Sequence, residues 1–108
     1  MRECGSETLT EITYLVLAAF CQPNHGYGAL KFISENTNNR VIPGAGTLYG
    51  AINSLVKKEW ISLYEQNDRK KIYLITDEGR EILNKEVNRL KECYVLGKEV
   101  LKSGGEDL

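Results

Sequence analysis

From residue 9 to residue 21, apolar side chains occupy every face of a helix, and no other feature restricts this chain as much. Thr8, with Glu11 three positions on, reads as a capping box, and Leu9, Ile12, Val16, Ala19 and Phe20 follow at helical spacing. Tyr14, Leu15, Leu17, Ala18 and Cys21 fill the other faces. A helix this apolar all round must be covered on more than one side. One side can face the chain's own core, and the other asks for a partner. With 108 residues the chain suits a single domain of modest core, so a core shared in a dimer is one way to supply that cover.

Gln22-Pro23-Asn24 ends this helix, and His25-Gly26-Tyr27-Gly28 begins a second that runs to about Glu35, with Tyr27, Leu30 and Ile33 expected inward. Asn36-Thr37-Asn38-Asn39 is a turn signal. After Pro43-Gly44 a third helix is expected from about Gly46 to Lys58, and here two faces separate. At about 100° per residue, Leu48, Ile52, Leu55 and Val56 gather on one side. Gly46, Gly50, Asn53, Ser54 and Lys57 gather on the other, with Tyr49 at the edge. Residues 61–66 and 71–75 are rich in branched and aromatic side chains and flank Asn67-Asp68-Arg69-Lys70, which predicts a β-hairpin. Thr76, followed by Asp77 and Glu78, is a good N-cap for a last helix of about 39 Å, ending near Lys102. Along it Leu83, Val87, Leu90, Tyr94, Gly97 and Leu101 alternate steps of four and three, a heptad seam with one gap.

The domain organisation expected is a loose arm (1–7), a winged-helix unit (8–76), a C-terminal dimerisation helix (77–102) and a flexible tail (103–108). Three helices, a hairpin and a long helix make a mainly α chain with a β-hairpin wing, the winged helix-turn-helix pattern. The third helix of such a unit can enter a major groove while the hairpin tip reaches adjacent backbone or minor groove. Two glycines on an outward helical face, Gly46 and Gly50, cost about 1 kcal/mol each, which suggests close approach by a DNA strand. The alternative is that they ease packing within a dimer.

Charge supports the same region. Residues 1–39 and 75–108 each carry a net charge of −2, whereas residues 40–74 carry +3. No run approaches the length of a membrane span, and nothing at the N-terminus reads as a signal peptide, so a cytoplasmic protein is expected. Cys4, Cys21 and Cys93 show no metal spacing and read as free thiols, and the single histidine leaves no zinc set. No nucleophile–His–acid set and no phosphate loop is present, so neither an enzyme nor a cofactor is expected.

His25-Gly26-Tyr27-Gly28, Gly46-Thr47-Leu48-Tyr49, Leu55 with Trp60-Ile61, and Tyr73-Leu74-Ile75-Thr76-Asp77-Glu78-Gly79 stand in an ordered set. Together they resemble the signature of the PadR-like transcriptional regulators over about residues 9–102, in the small form with one helix after the wing. The resemblance implies a homodimer, usually a repressor, that binds a palindromic operator and releases it when a small molecule binds. It also implies that the first and last helices build the dimer interface. Where the family usually has glycine, this chain has Trp60, so a different local turn is expected there.

Thr47, Tyr49, Gly50 and Asn53 are the expected groove contacts, Asn53 towards an adenine edge and Thr47 towards a phosphate. Lys57 and the wing residues Arg69, Lys70 and Lys71 are expected on phosphate or in the minor groove, with Arg40 a weaker candidate and Lys58 solvated. Leu83, Val87, Leu90, Tyr94 and Leu101 are the expected dimer contacts. His25 is expected to make a structural hydrogen bond, and Trp60 to pack beneath the wing. Rival readings are a dimeric interaction module that has lost DNA binding and a small-molecule sensor with no DNA partner.

Overall fold

The computed structural model describes residues 8–107, with side chains to residue 103; the arm expected over 1–7 lies outside them. Among the described residues the order is α1 (Glu11–Ala19), α2 (Gly26–Asn36), α3 (Ala45–Lys57), β1 (Ile61–Asn67), β2 (Lys70–Ile75) and α4 (Asp77–Asp107). This is the winged helix-turn-helix with a long terminal helix that the pattern predicts.

α1 starts later than Thr8 would have it. Thr10 is the cap, its hydroxyl accepting the Thr13 N–H at 3.1 Å. The Glu11 carboxylate pairs with Arg40 from the turn between α2 and α3, so the reciprocal half of a capping box is absent. α1 touches α2, α3 and α4. Its Val16, Leu17, Ala19 and Phe20 are buried with Ala29 and Ile33 of α2, Leu48, Ile52 and Leu55 of α3, and Ile61 and Ile75 at the root of the wing. The chain itself therefore covers most of the surface that would otherwise need a partner, while Leu9, Ile12 and Leu15 stay half-buried.

Two inward assignments are corrected. Tyr27 is exposed because Gly26, Ala29 and Ile33 form the inner stripe of α2, and Val56 lies at the margin of the buried face of α3.

α3 closes with a Schellman turn. The Trp60 N–H reaches the Leu55 carbonyl and the Glu59 N–H the Val56 carbonyl, each at 3.0 Å. The left-handed residue is Glu59 (φ 64°), one place before the tryptophan, at a cost of about 1 kcal/mol that glycine would not carry. Trp60 is half-buried against the core, and Lys58 is exposed as expected, its ammonium 4.8 Å above the Trp60 ring.

The wing pairs Ile61 with Ile75 and Leu63 with Tyr73, then shifts at a bulge around Tyr64 and closes on Asn67 and Lys70. Its root is sewn to the turn between α1 and α2. Ile75 N–H donates to the Phe20 carbonyl at 2.8 Å, and Asn24 and Tyr73 exchange backbone bonds of 3.1 and 2.8 Å. The Tyr73 ring stands edge-on to Phe20, with centroids 5.9 Å apart.

Thr76 starts α4 as expected and does more than cap it. Its hydroxyl accepts the Gly79 N–H at 3.0 Å and donates to the Glu59 carbonyl at 2.7 Å, while its own N–H reaches the Trp60 carbonyl at 2.9 Å. α4 runs to Asp107, past the expected end near Lys102, because no glycine among the described residues adopts the positive φ that would stop it. The protein measures 62 × 36 × 21 Å, and its radius of gyration of 16.5 Å exceeds the roughly 13 Å of a compact chain this size. α4 projects beyond the core.

Gly79 sits where the Trp60 carbonyl presses on the first turn of α4, and a Cβ there would collide with that carbonyl. Gly79→Ala should lower stability by at least about 2 kcal/mol, or on the order of 10 °C in melting temperature. At an uncrowded helical position the same change would gain about 1 kcal/mol. A thermal melt showing a gain would contradict this packing.

Candidate nucleic-acid interface

The outward face of α3 has no acidic side chain, and the buried stripe of Leu48, Ile52 and Leu55 fixes which way it points. Thr47, Tyr49, Gly50, Asn53 and Lys57 are all exposed on it. Beyond the local backbone of α3, no described residue lies within 4 Å of a Cβ built at Gly46 or Gly50, so neither glycine serves packing among the described residues.

Arg69, Lys70 and Lys71 are exposed at the tip of the wing, and none is ion-paired with another described residue. A hollow of about 590 Å³ joins them to Tyr49, Ile52 and Asn53 of α3 and to His25, Gly26 and Tyr27 at the start of α2, with Tyr73 of β2 also in its lining. Five of the eight residues expected to meet DNA thus share one concavity. Thr47, Gly50 and Lys57 stand outside it on the exposed surface of α3. Arg40 is committed to Glu11, and their hydrogen bonds hold the Glu11 carboxyl below its ordinary range and the Arg40 guanidinium above its own.

Tyr27 is the residue of this hollow that sequence reasoning missed. Its neighbours carried the signal, since Gly26, Ala29 and Ile33 already make a complete small-to-large inner stripe. Asn24 is more than the helix stop its sequence context suggests. Its side-chain amide donates to the Ala19 carbonyl at 3.3 Å and its side-chain carbonyl accepts the His25 N–H at 2.9 Å, which locks the corner before α2. His25 makes the structural bond expected of it: Nδ1 accepts the Gly28 N–H at 3.1 Å and caps α2.

On α4 the expected seam divides. Leu83 packs against the chain's own core, whereas Val87, Leu90, Tyr94 and Leu101 are exposed on the projecting part, beside exposed Val95, Leu96 and Val100. Glu86 marks the boundary, 5% exposed and held by Arg89 at 2.6 and 3.0 Å. Hydrogen bonding to Arg89 outweighs burial and holds its carboxyl below the ordinary range. The ion pair therefore contributes stability at neutral pH that is lost progressively as the pH falls from the ordinary carboxylate range through that lowered value.

No described helix is long and apolar enough to cross a membrane. Residues 15–85 match the sequence model of the transcriptional regulator PadR-like family. An uncharacterized 37.1 kDa protein in transposon Tn4556 of Streptomyces fradiae is 34% identical over 77 residues, which are 70% of this chain and 22% of that protein. The chain thus spans about a fifth of the length of that relative. Among solved structures, a PadR family transcriptional regulator from Eggerthella lenta is 26% identical with a TM-score of 0.68, over 82% of this chain and 80% of that one. A PadR-like transcriptional regulator from Bacillus cereus superposes with a TM-score of 0.71 at 18% identity, over 83% and 90%, a likeness of fold.

The Tyr49 ring lies over Gly26, inside contact distance of any Cβ placed there. The atoms that would be struck are the outer end of a side chain that can swing away, unlike the carbonyl above Gly79. Gly26→Ala should leave the melting temperature within about 5 °C of the parent while shifting the Tyr49 ring resonances in NMR spectra. A loss of stability as large as that expected for Gly79→Ala would mean the ring is locked in place.

Proposed function

Because the chain belongs to the PadR-like family of transcriptional regulators, we propose that it is a cytoplasmic homodimer that binds double-stranded DNA and regulates transcription through it. The observation that carries this reading is the hollow uniting the acid-free face of α3 with the cationic tip of the wing. The open backbone at Gly46 and Gly50 lets α3 lie close to base edges, with Asn53 suited to an adenine and Thr47 to a phosphate. Lys57, Arg69, Lys70 and Lys71 neutralise phosphates on either side. Tyr49 and Gly50 complete the contact surface.

Val87, Leu90, Tyr94 and Leu101 form the seam between two copies, since a projecting helix with this much exposed apolar surface gains about 25 cal/mol for every Å² it covers. Leu83 sits at the inner end of that seam. Two copies related by a twofold axis present two hollows, which suits a palindromic operator. Repression, and release by a small molecule, rest on the family alone.

Two measurements test these assignments. Duplexes selected from a random pool by the parent chain should bind the Arg69→Ala, Lys70→Ala, Lys71→Ala triple variant more weakly. The dependence of log K on log salt should flatten by about 0.9 for each phosphate that is no longer neutralised. A parent chain that selects no duplex and shows no salt-sensitive binding would support an interaction module without DNA function. In sedimentation, Leu90→Glu should convert dimer to monomer by placing like charges across the seam. A dimer that persists would place the interface elsewhere.

A further inference from the structure

Tyr27 is 68% exposed at the start of α2, where the inner stripe of Gly26, Ala29 and Ile33 leaves its ring no packing duty. Its hydroxyl makes no hydrogen bond with a described residue, yet it lines the same hollow as Arg69, Lys70 and Lys71. Two further rings, those of Tyr49 and Tyr73, line that hollow. Apolar ring faces accept the hydrocarbon side of a sugar, a phenolic hydroxyl donates to a phosphate oxygen, and cations neutralise the phosphate charge. This combination suits a sugar–phosphate strand better than a base edge, because ring faces offer no hydrogen-bond pattern to read.

We infer that the hollow between the first turn of α2 and the wing seats one sugar–phosphate strand, with Tyr27 gripping it opposite Arg69, Lys70 and Lys71. The inference rests on the DNA-binding reading above and adds a wall to it. Each copy holds the strand from two sides, α2 and the wing, while α3 faces the bases between. Tyr27 then contributes affinity without sequence preference and, being uncharged, without counterion release.

The test uses the full chain with a duplex selected by the parent and a scrambled duplex of equal length. Tyr27→Phe removes the hydroxyl alone, and Tyr27→Ala removes the ring as well. Exposure of the side chain predicts unchanged melting temperatures for both, which serves as the folding control. Tyr27→Phe should weaken both duplexes by the same factor, about three- to tenfold, the range of one hydrogen bond. Tyr27→Ala should weaken both further, and the salt slope should stay at the parent value in each case. Phosphate ethylation should interfere with the parent at a position in each half-site where it no longer affects Tyr27→Ala. Parental affinity in both variants, or a loss confined to the selected duplex, would overturn the inference while DNA binding stands. Failure of the parent chain to bind either duplex would overturn both readings.

Discussion

The geometry of the candidate interface depends on the backbone seam that joins β2 to the turn between α1 and α2. Three hydrogen bonds, from Ile75 to Phe20 and between Asn24 and Tyr73, tie a two-stranded hairpin to the helical core. A hairpin of two strands is marginal in water by itself, so without this seam the wing would have no fixed direction. With it, Arg69, Lys70 and Lys71 stand across a hollow from α3 and the start of α2. The edge-on contact of Tyr73 with Phe20 reinforces the seam from the apolar side. Asn24 is the joint of this arrangement, because its backbone pairs with the wing while its side chain secures Ala19 and His25.

Much of the fold was legible because it is written locally. The heptad along α4, the two faces of α3, the Thr76 cap and the hairpin turn each follow from neighbours within a few residues. The motif set from His25 to Gly79 then carried the family. Errors arose where a distant contact decided between local options. Thr8 and Thr10 are both plausible caps for α1, and the Glu11 carboxylate that would have favoured Thr8 is drawn instead to Arg40, far along the chain. Tyr27 has the spacing of a core residue, yet Gly26 is the one facing inward, beneath Tyr49. The left-handed residue after α3 could not be found by looking for glycine, since Glu59 takes that role and the Thr76 hydroxyl holds its carbonyl.

The molecule divides into two regimes of packing. From α1 to the root of α4, one apolar core is buried within the chain, and the one buried carboxylate among the described residues, Glu86, has its counter-ion in Arg89. Beyond that point α4 carries exposed leucine, valine and tyrosine side chains that lie outside the core cluster of the described residues. The mixed charge hides a similar division, with the basic middle third gathered around α3 and the wing and the acidic excess along both flanks. The surface proposed for nucleic acid and the one proposed for self-association thereby lie on separate parts of one small chain.

Among the described residues α4 is anchored at its N-terminal end, where Thr76 and Gly79 are clamped against the turn at Glu59 and Trp60. Of its thirty-one residues, the first turns to Glu86 lie against the core, and the twenty-one from Val87 to Asp107 project as a lever of about 31 Å. Pivoting it by about 10° would sweep its tip through about 5 Å, the pitch of one helical turn. That anchor adjoins the last turn of α3, so the direction of the projecting helix and the direction of α3 are set by the same few hydrogen bonds.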